Sequence, residues 1–152
     1  MPIRIGTPLP ELSATSWLNG TPEQAALAGR PLLVHFWSVS CGVCHDNMPT
    51  VAAWRDEFKH TGLQVISFHI PRQAEDMNEA AVREHVEQMG LSEPCGLDHQ
   101  MKTADAFQNT FVPSYYLFDA AGQLRSRAGG TAGLAMMRAA LERYCPAAPA
   151  VS

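Results

Sequence analysis

The chain has 152 residues, 46% of them apolar and 17% charged, with 15 acidic against 11 basic side chains and a formal net charge of -4. A chain of this size buries roughly 68–70% of the surface its unfolded form exposes, enough for one globular domain without disulfide staples, so its four cysteines are free for chemistry. No apolar run approaches the roughly 20 residues that cross a bilayer. The opening Met1-Pro2-Ile3-Arg4-Ile5-Gly6 has no signal-peptide core, and 9 Arg with 2 Lys, gathered in no basic run, make nucleic acid an unexpected partner.

Prolines at 2, 8, 10 and 22 and the turn signal Asn19-Gly20 predict an extended arm over residues 1–30 that ends in a small hairpin. From there strands and helices alternate. Residues 31–37 (Pro-Leu-Leu-Val-His-Phe-Trp) form a nearly unbroken apolar run of strand length, the pattern of a strand covered on both faces. A helix is expected over 41–60, a second buried strand over 63–70, and a helix over 75–89 stopped by Gly90. A short strand near 94–97 and a helix near 99–108 follow. The last third reads as a strand over 114–118, a turn over 119–122, a strand over 124–128, and a helix with Leu134, Met137, Leu141 and Tyr144 on one stripe. This order argues a three-layer α/β/α domain over 1–145 with a central mixed sheet. The Pro- and Ala-rich residues 146–152 are expected to form a flexible tail.

Cys41-Gly42-Val43-Cys44 stands where the first buried strand gives way to a helix. Cys41 therefore falls at a helix N-terminus, where unpaired N–H groups and the macrodipole favour a thiolate. Two intervening residues bring the second sulfur within reach of a disulfide. Cys44, deeper in the first turn, is expected to resolve a mixed disulfide rather than start one. Other readings compete for the same residues. With His45 the motif is also C-x-x-C-H, a haem c attachment pattern, but it follows a Val/Phe/Trp-rich strand rather than lying among helices. Zinc needs a second ligand pair, and Cys95 and Cys145 are isolated singles. Two core cysteines at a helix start would be inert, but the strand-to-helix edge of an α/β sheet is where ligands bind.

The stretch Leu33-Val-His-Phe-Trp-Ser-Val-Ser-Cys-Gly-Val-Cys44 resembles the active-site strand and loop of the thioredoxin superfamily, and the likeness extends over most of the chain. Pro49 matches the proline that kinks the active-site helix in that family. Val112-Pro113-Ser114 before a strand matches its cis-proline loop. The arm Ile5-Gly-Thr-Pro-Leu-Pro-Glu-Leu12 with Trp17-Leu-Asn-Gly20, and the long segment between 71 and 98, are similar to the TlpA-like, redoxin-type branch of thiol-disulfide oxidoreductases. The resemblance implies a thioredoxin-like fold, a cis Val112-Pro113 bond, and backbone beside it that offers hydrogen bonds to an extended substrate strand. Three departures stand out. Ser40 replaces the usual Trp and Val43 the usual Pro, changes expected to shift the redox potential. His35 stands where relatives place an acid or Asn. His69-Ile-Pro-Arg72 lacks a glutamate that some members carry.

The reading that follows is a thiol-disulfide oxidoreductase in which Cys41 attacks, Cys44 resolves, Pro113 shapes the site, and His35 serves as a neutral proton acceptor. Ser40, Gly42, Val43 and Val112 would meet the substrate. No cofactor or metal is expected. The expected partners are protein disulfides or dithiols and a redox partner that donates or accepts electrons, with the chain a monomer. As the sequence stands the protein would be cytoplasmic, or exported if a signal segment had been removed. Two alternatives remain: a peroxiredoxin-like peroxidase, for which Ser38 stands three residues before Cys41, and a redox-silent binding module. Insulin reduction and peroxide consumption separate them. Cys95, Cys145, Phe36 and Trp37 are expected in the core, His60, His85 and His99 in solvent, and His69 is a further polar candidate near the site.

Overall fold

The computed structural model describes residues 2–146. Pro146 apart, the expected tail lies outside the described residues. Strands β1 (Ser16–Leu18), β2 (Leu32–Trp37), β3 (Gln64–His69), β4 (Cys95–Leu97), β5 (Ser114–Phe118) and β6 (Leu124–Gly129) form one sheet, with helices α1 (Gly42–Phe58), α2 (Glu79–Gln88), α3 (Lys102–Ala106) and α4 (Leu134–Tyr144). The strand order is β1-β4-β3-β2-β5-β6. β2, β3 and β4 run parallel, as strands joined through α1 and α2 must, whereas β1, β5 and β6 pair antiparallel. The fold is thioredoxin-like and its sheet is mixed.

Period-2 alternation explains the layers. Leu32, Val34 and Phe36 of β2 join Ile66, Phe68, Tyr116 and Phe118 in a cluster covered by arm residues Leu9, Leu12 and Trp17 and by Ala104 of α3. Leu33 points to the other face, with Val51, Trp54 and Phe58 of α1 and Met137 and Leu141 of α4. Further along that face Trp37 packs with Cys41, with Cys44 and Met48 of α1, and with Val82 and Val86 of α2. Phe36 and Trp37 are buried, as expected.

The arm differs from expectation. Asn19 and Gly20 do turn, with φ of 62° and 97°, but β1 does not fold back into a local hairpin. It pairs with β4, Ser16 opposite Leu97 and Leu18 opposite Cys95. The reason is long-range. The Asn19 amide donates to the carbonyls of Leu91 and Glu93 at 2.8 and 3.1 Å, and Trp17 packs edge-on against Phe68, which ties the turn to the loop before β4. The second helix also starts later than expected. Asn78 caps it, accepting from the Ala81 N–H at 3.2 Å, while residues Ala74–Met77 form a separate 3-10 turn. α3 is shorter than the expected 99–108 because buried Asp98 accepts from the N–H groups of Thr103 and Ala104 and so sets its start.

Candidate functional site

β2 ends at Trp37 and the chain turns through Ser38, Val39 and Ser40 into α1. Cys41 is the N-cap of α1, with extended backbone (φ -99°, ψ 110°), and its Sγ accepts the N–H of Cys44 at 3.1 Å. A sulfur that caps a helix sits in the positive end of the macrodipole and takes a bond that strengthens as it ionises. Cys44 is the opposite case. Burial pushes its thiol well above the ordinary range, and its bond to Cys41 pushes the same way. Cys44 is therefore held as a thiol, while the Cys41 sulfur takes a backbone N–H at the head of the helix. One expectation changes here. Cys41 does not stand open to solvent: it is 4% exposed against 0% for Cys44. The capping N–H, not exposure, distinguishes the two sulfurs.

The Val112-Pro113 bond is cis. Phe111 holds the loop in place through its carbonyl, which accepts from Asn109 Nδ2 at 2.9 Å and Ser114 Oγ at 2.8 Å, and Gly130 N–H donates to the Pro113 carbonyl at 3.0 Å. Val112 packs against the cluster that contains both sulfurs. Among the described residues no backbone hydrogen bond uses its N–H or C=O. Ser40, Gly42 and Val43 are exposed around the same rim.

One residue of the site was missed in the sequence. Asp76, from the 3-10 turn after β3, is buried, and its Oδ2 accepts from Ser40 Oγ at 2.7 Å, from the Arg72 N–H at 2.8 Å and from Ser38 Oγ at 3.1 Å. Burial alone would raise its carboxyl, but the three donors and nearby His69 hold it below the ordinary carboxylate range. No acid stands at His35 or directly after β3, and Asp76 lies further along the loop that follows β3. No local pattern marks Asp76, because two of its three partners, Ser40 and Ser38, lie 36 and 38 residues away. The Ser38 hydroxyl is donated to this carboxylate, away from the role a peroxidase would need. Asp76→Ala leaves three donors without their acceptor and is expected to cost about 2–3 kcal/mol in urea unfolding. Asp76→Asn, which keeps an acceptor oxygen, should cost clearly less. Equal loss in both variants would remove the hydrogen-bond account.

Beneath α1, register aligns a polar row across the sheet. Tyr115 lies opposite His35, His35 opposite Ser67, and Ser67 opposite Cys95. All four residues are fully buried. The His35 ring stacks on Tyr115 with centroids 5.1 Å apart, and desolvation pulls it down to about 3. Neither of its ring nitrogens has a hydrogen-bond partner among the described residues. His69 is fully buried, packed edge-on to Trp37, and pulled down to about 4 mainly by burial. His60 is exposed. His85 departs from expectation: it is half-buried, and its Nε2 meets His45 Nδ1 at 3.0 Å while His45 Nε2 reaches the Val39 carbonyl at 2.9 Å. His99 is half-buried near His69. Cys95 and Cys145 are buried. No group of three or more His, Cys, Asp or Glu placed to hold a metal ion occurs among the described residues, and no helix among them is long and apolar enough to cross a membrane.

Fold and site together define a redoxin-type domain of the thioredoxin superfamily, with a dithiol at the start of its first long helix and a cis-proline loop beside it. The chain belongs to the AhpC/TSA family, whose pattern matches residues 5–127. It is 36% identical over 143 residues to the thiol-disulfide oxidoreductase YkuV of Bacillus subtilis, covering 93% of this chain and 96% of that protein. It is 25% identical over 122 residues to the thiol-disulfide oxidoreductase ResA of Bacillus thuringiensis, covering 80% of this chain and 68% of that one. Among solved structures, a thioredoxin-like protein in its oxidised form superposes with a TM-score of 0.86 at 35% identity, over 94% of this chain and 97% of the other. The thioredoxin-like protein SPOA0173 shares the fold with a TM-score of 0.82 at 23% identity, over 93% of this chain and 97% of the other.

Proposed function

We propose that the chain is a thiol-disulfide oxidoreductase that exchanges a dithiol for a disulfide with protein substrates through Cys41 and Cys44. The observation that carries this reading is the asymmetry of the pair, with Cys41 capping α1 through the Cys44 N–H and Cys44 held as a buried thiol. In the reductive direction the Cys41 thiolate attacks one sulfur of a substrate disulfide, the S–S bond breaks, and the leaving thiolate takes up a proton. Cys44 then loses its proton and attacks Cys41 Sγ, which releases the second substrate thiol and leaves the Cys41–Cys44 disulfide. Run backwards, the same steps oxidise a substrate dithiol. Val112 offers a free N–H and C=O to an extended substrate strand, and Ser40, Gly42 and Val43 form the exposed rim it would cross. Pro113 shapes the loop that carries Val112. Turbidity from insulin reduced by dithiothreitol tests the reading. The wild-type chain should accelerate it, and a rate equal to dithiothreitol alone would refute it.

His35 acts on the resolving step in this proposal. It is stacked on Tyr115, which lies opposite it in the sheet on the face that α1 covers. A ring drawn down to about 3 is uncharged at neutral pH and accepts a hydrogen bond without adding a charge beside the thiolate. As a base that weak, it contributes less than the 10²–10⁴-fold of a matched general base. His35→Ala should slow resolution of a mixed disulfide about tenfold and alter its pH dependence while leaving Cys41 alkylation nearly unchanged. An unaltered pH profile would reduce His35 to packing.

A further inference from the structure

A groove of about 390 Å³ opens beside the dithiol, between Ile70, Pro71 and Arg72 after β3, Met101 before α3, and the loop that ends in Phe111 and Val112. Val112 belongs both to this lining and to the residues packed against the cluster that contains Cys41 and Cys44, so the groove adjoins that cluster. The volume is at the small end of the roughly 300–1,000 Å³ of ligand sites, enough for one or two large side chains. Its apolar wall includes Phe111, which is 52% exposed. The Phe111 ring rests on Gly129 of β6, where any side chain would collide with it.

Arg72 is the one charged side chain in that lining. Its main-chain N–H is taken by Asp76, but its guanidinium is not. Nη1 reaches only the Ser40 carbonyl at 3.5 Å, and no carboxylate lies within ion-pair distance of it among the described residues. A chain with a net charge of -4 thus presents an unpaired cation at the mouth of an apolar groove, next to its reactive sulfur.

We propose that this groove is a specificity subsite for the substrate segment that carries the disulfide, taking a bulky apolar side chain against Phe111 and a nearby carboxylate on Arg72. The inference rests on the thiol-disulfide exchange proposed above and names its substrate class, extended protein segments that are apolar and acidic beside the reacting cysteine. Lys-rich segments are disfavoured by the same guanidinium. Aromatic burial at the groove supplies binding, and the charge supplies selection and faster encounter.

The test uses the reduced full chain and four otherwise identical disulfide peptides, with Phe or Ala and with Glu or Lys near the cysteine. A small neutral disulfide, bis(2-hydroxyethyl) disulfide, is the common reference. Stopped-flow kcat/KM, normalised to that reference, should favour Glu over Lys by about fivefold or more at low salt, and the preference should shrink as salt rises. Arg72→Glu should reverse the sign of the Glu/Lys preference, and Phe111→Ala should remove the Phe/Ala preference while keeping the charge preference. Equal rates for all four peptides would overturn the subsite and leave the exchange activity standing. Failure to reduce even the neutral disulfide would overturn the exchange reading itself.

Discussion

Cys44→Ser protein mixed with a disulfide substrate is expected to stop as a covalent adduct on Cys41, and Cys41→Ser protein to form none. In both variants catalysed insulin reduction should fall to the background set by dithiothreitol. The asymmetry follows from the surroundings of the two sulfurs. Burial and the bond to Cys41 keep Cys44 a thiol at neutral pH, whereas the Cys41 sulfur takes the Cys44 N–H at the head of α1. Attack by Cys41 is therefore the accessible first step. Cys44 becomes competent only once the mixed disulfide has placed Cys41 Sγ in an S–S bond that it can attack. Limiting iodoacetamide should accordingly label Cys41 in the reduced chain although only 4% of that residue is exposed. Non-reducing gels and peptide mass mapping decide the point. Adducts on Cys44, or preferential alkylation of Cys44, would reverse the assignment of roles.

The second large effect is on stability in mild acid. His35 and His69 are fully buried and pulled below the ordinary histidine value, to about 3 and about 4. The unfolded chain binds protons on both rings as pH falls through 6.5, while the folded chain does not. Folding stability is thus fully present above that value and declines below it, by about 1.4 kcal/mol per pH unit for each ring. From pH 7 to pH 5 the two rings remove about 4 kcal/mol, out of the 5–15 kcal/mol typical of a domain. The decline from His69 ends near pH 4 and that from His35 near pH 3. Urea midpoints at pH 7 and pH 5 measure the loss, and His35→Gln or His69→Gln should each flatten about half of it. Identical midpoints at the two pH values would contradict the burial of neutral rings.

Much of the site was legible along the chain because its chemistry is local. A C-x-x-C at the end of an apolar strand puts one sulfur at a helix start and the other a turn deeper, and three residues decide that geometry with no help from the rest of the fold. The apolar runs at 31–37 and 63–70 and the turn at 119–122 announce strands for similar reasons, since period and turn chemistry act over a few residues. What failed to show was everything closed by distant partners. β1 looked like half of a hairpin, but Asn19 binds carbonyls 72 and 74 residues away and delivers the strand to β4.

The same division separates what the sequence by itself determined from what tertiary structure decided. The strand-helix alternation and the placing of a C-x-x-C at a helix start were set by short-range spacing and backbone preference, whereas the proline loop was legible only through the family resemblance. The Asp76 carboxylate on Ser38 and Ser40, the contact of His45 with His85 and the groove around Arg72 exist only because β3 and its following loop are packed beside β2. An acid one or two residues from another acid looks like solvated surface in a sequence. Desolvation and three converging donors make Asp76 part of the site, and those are properties of a packed interior that no segment carries alone.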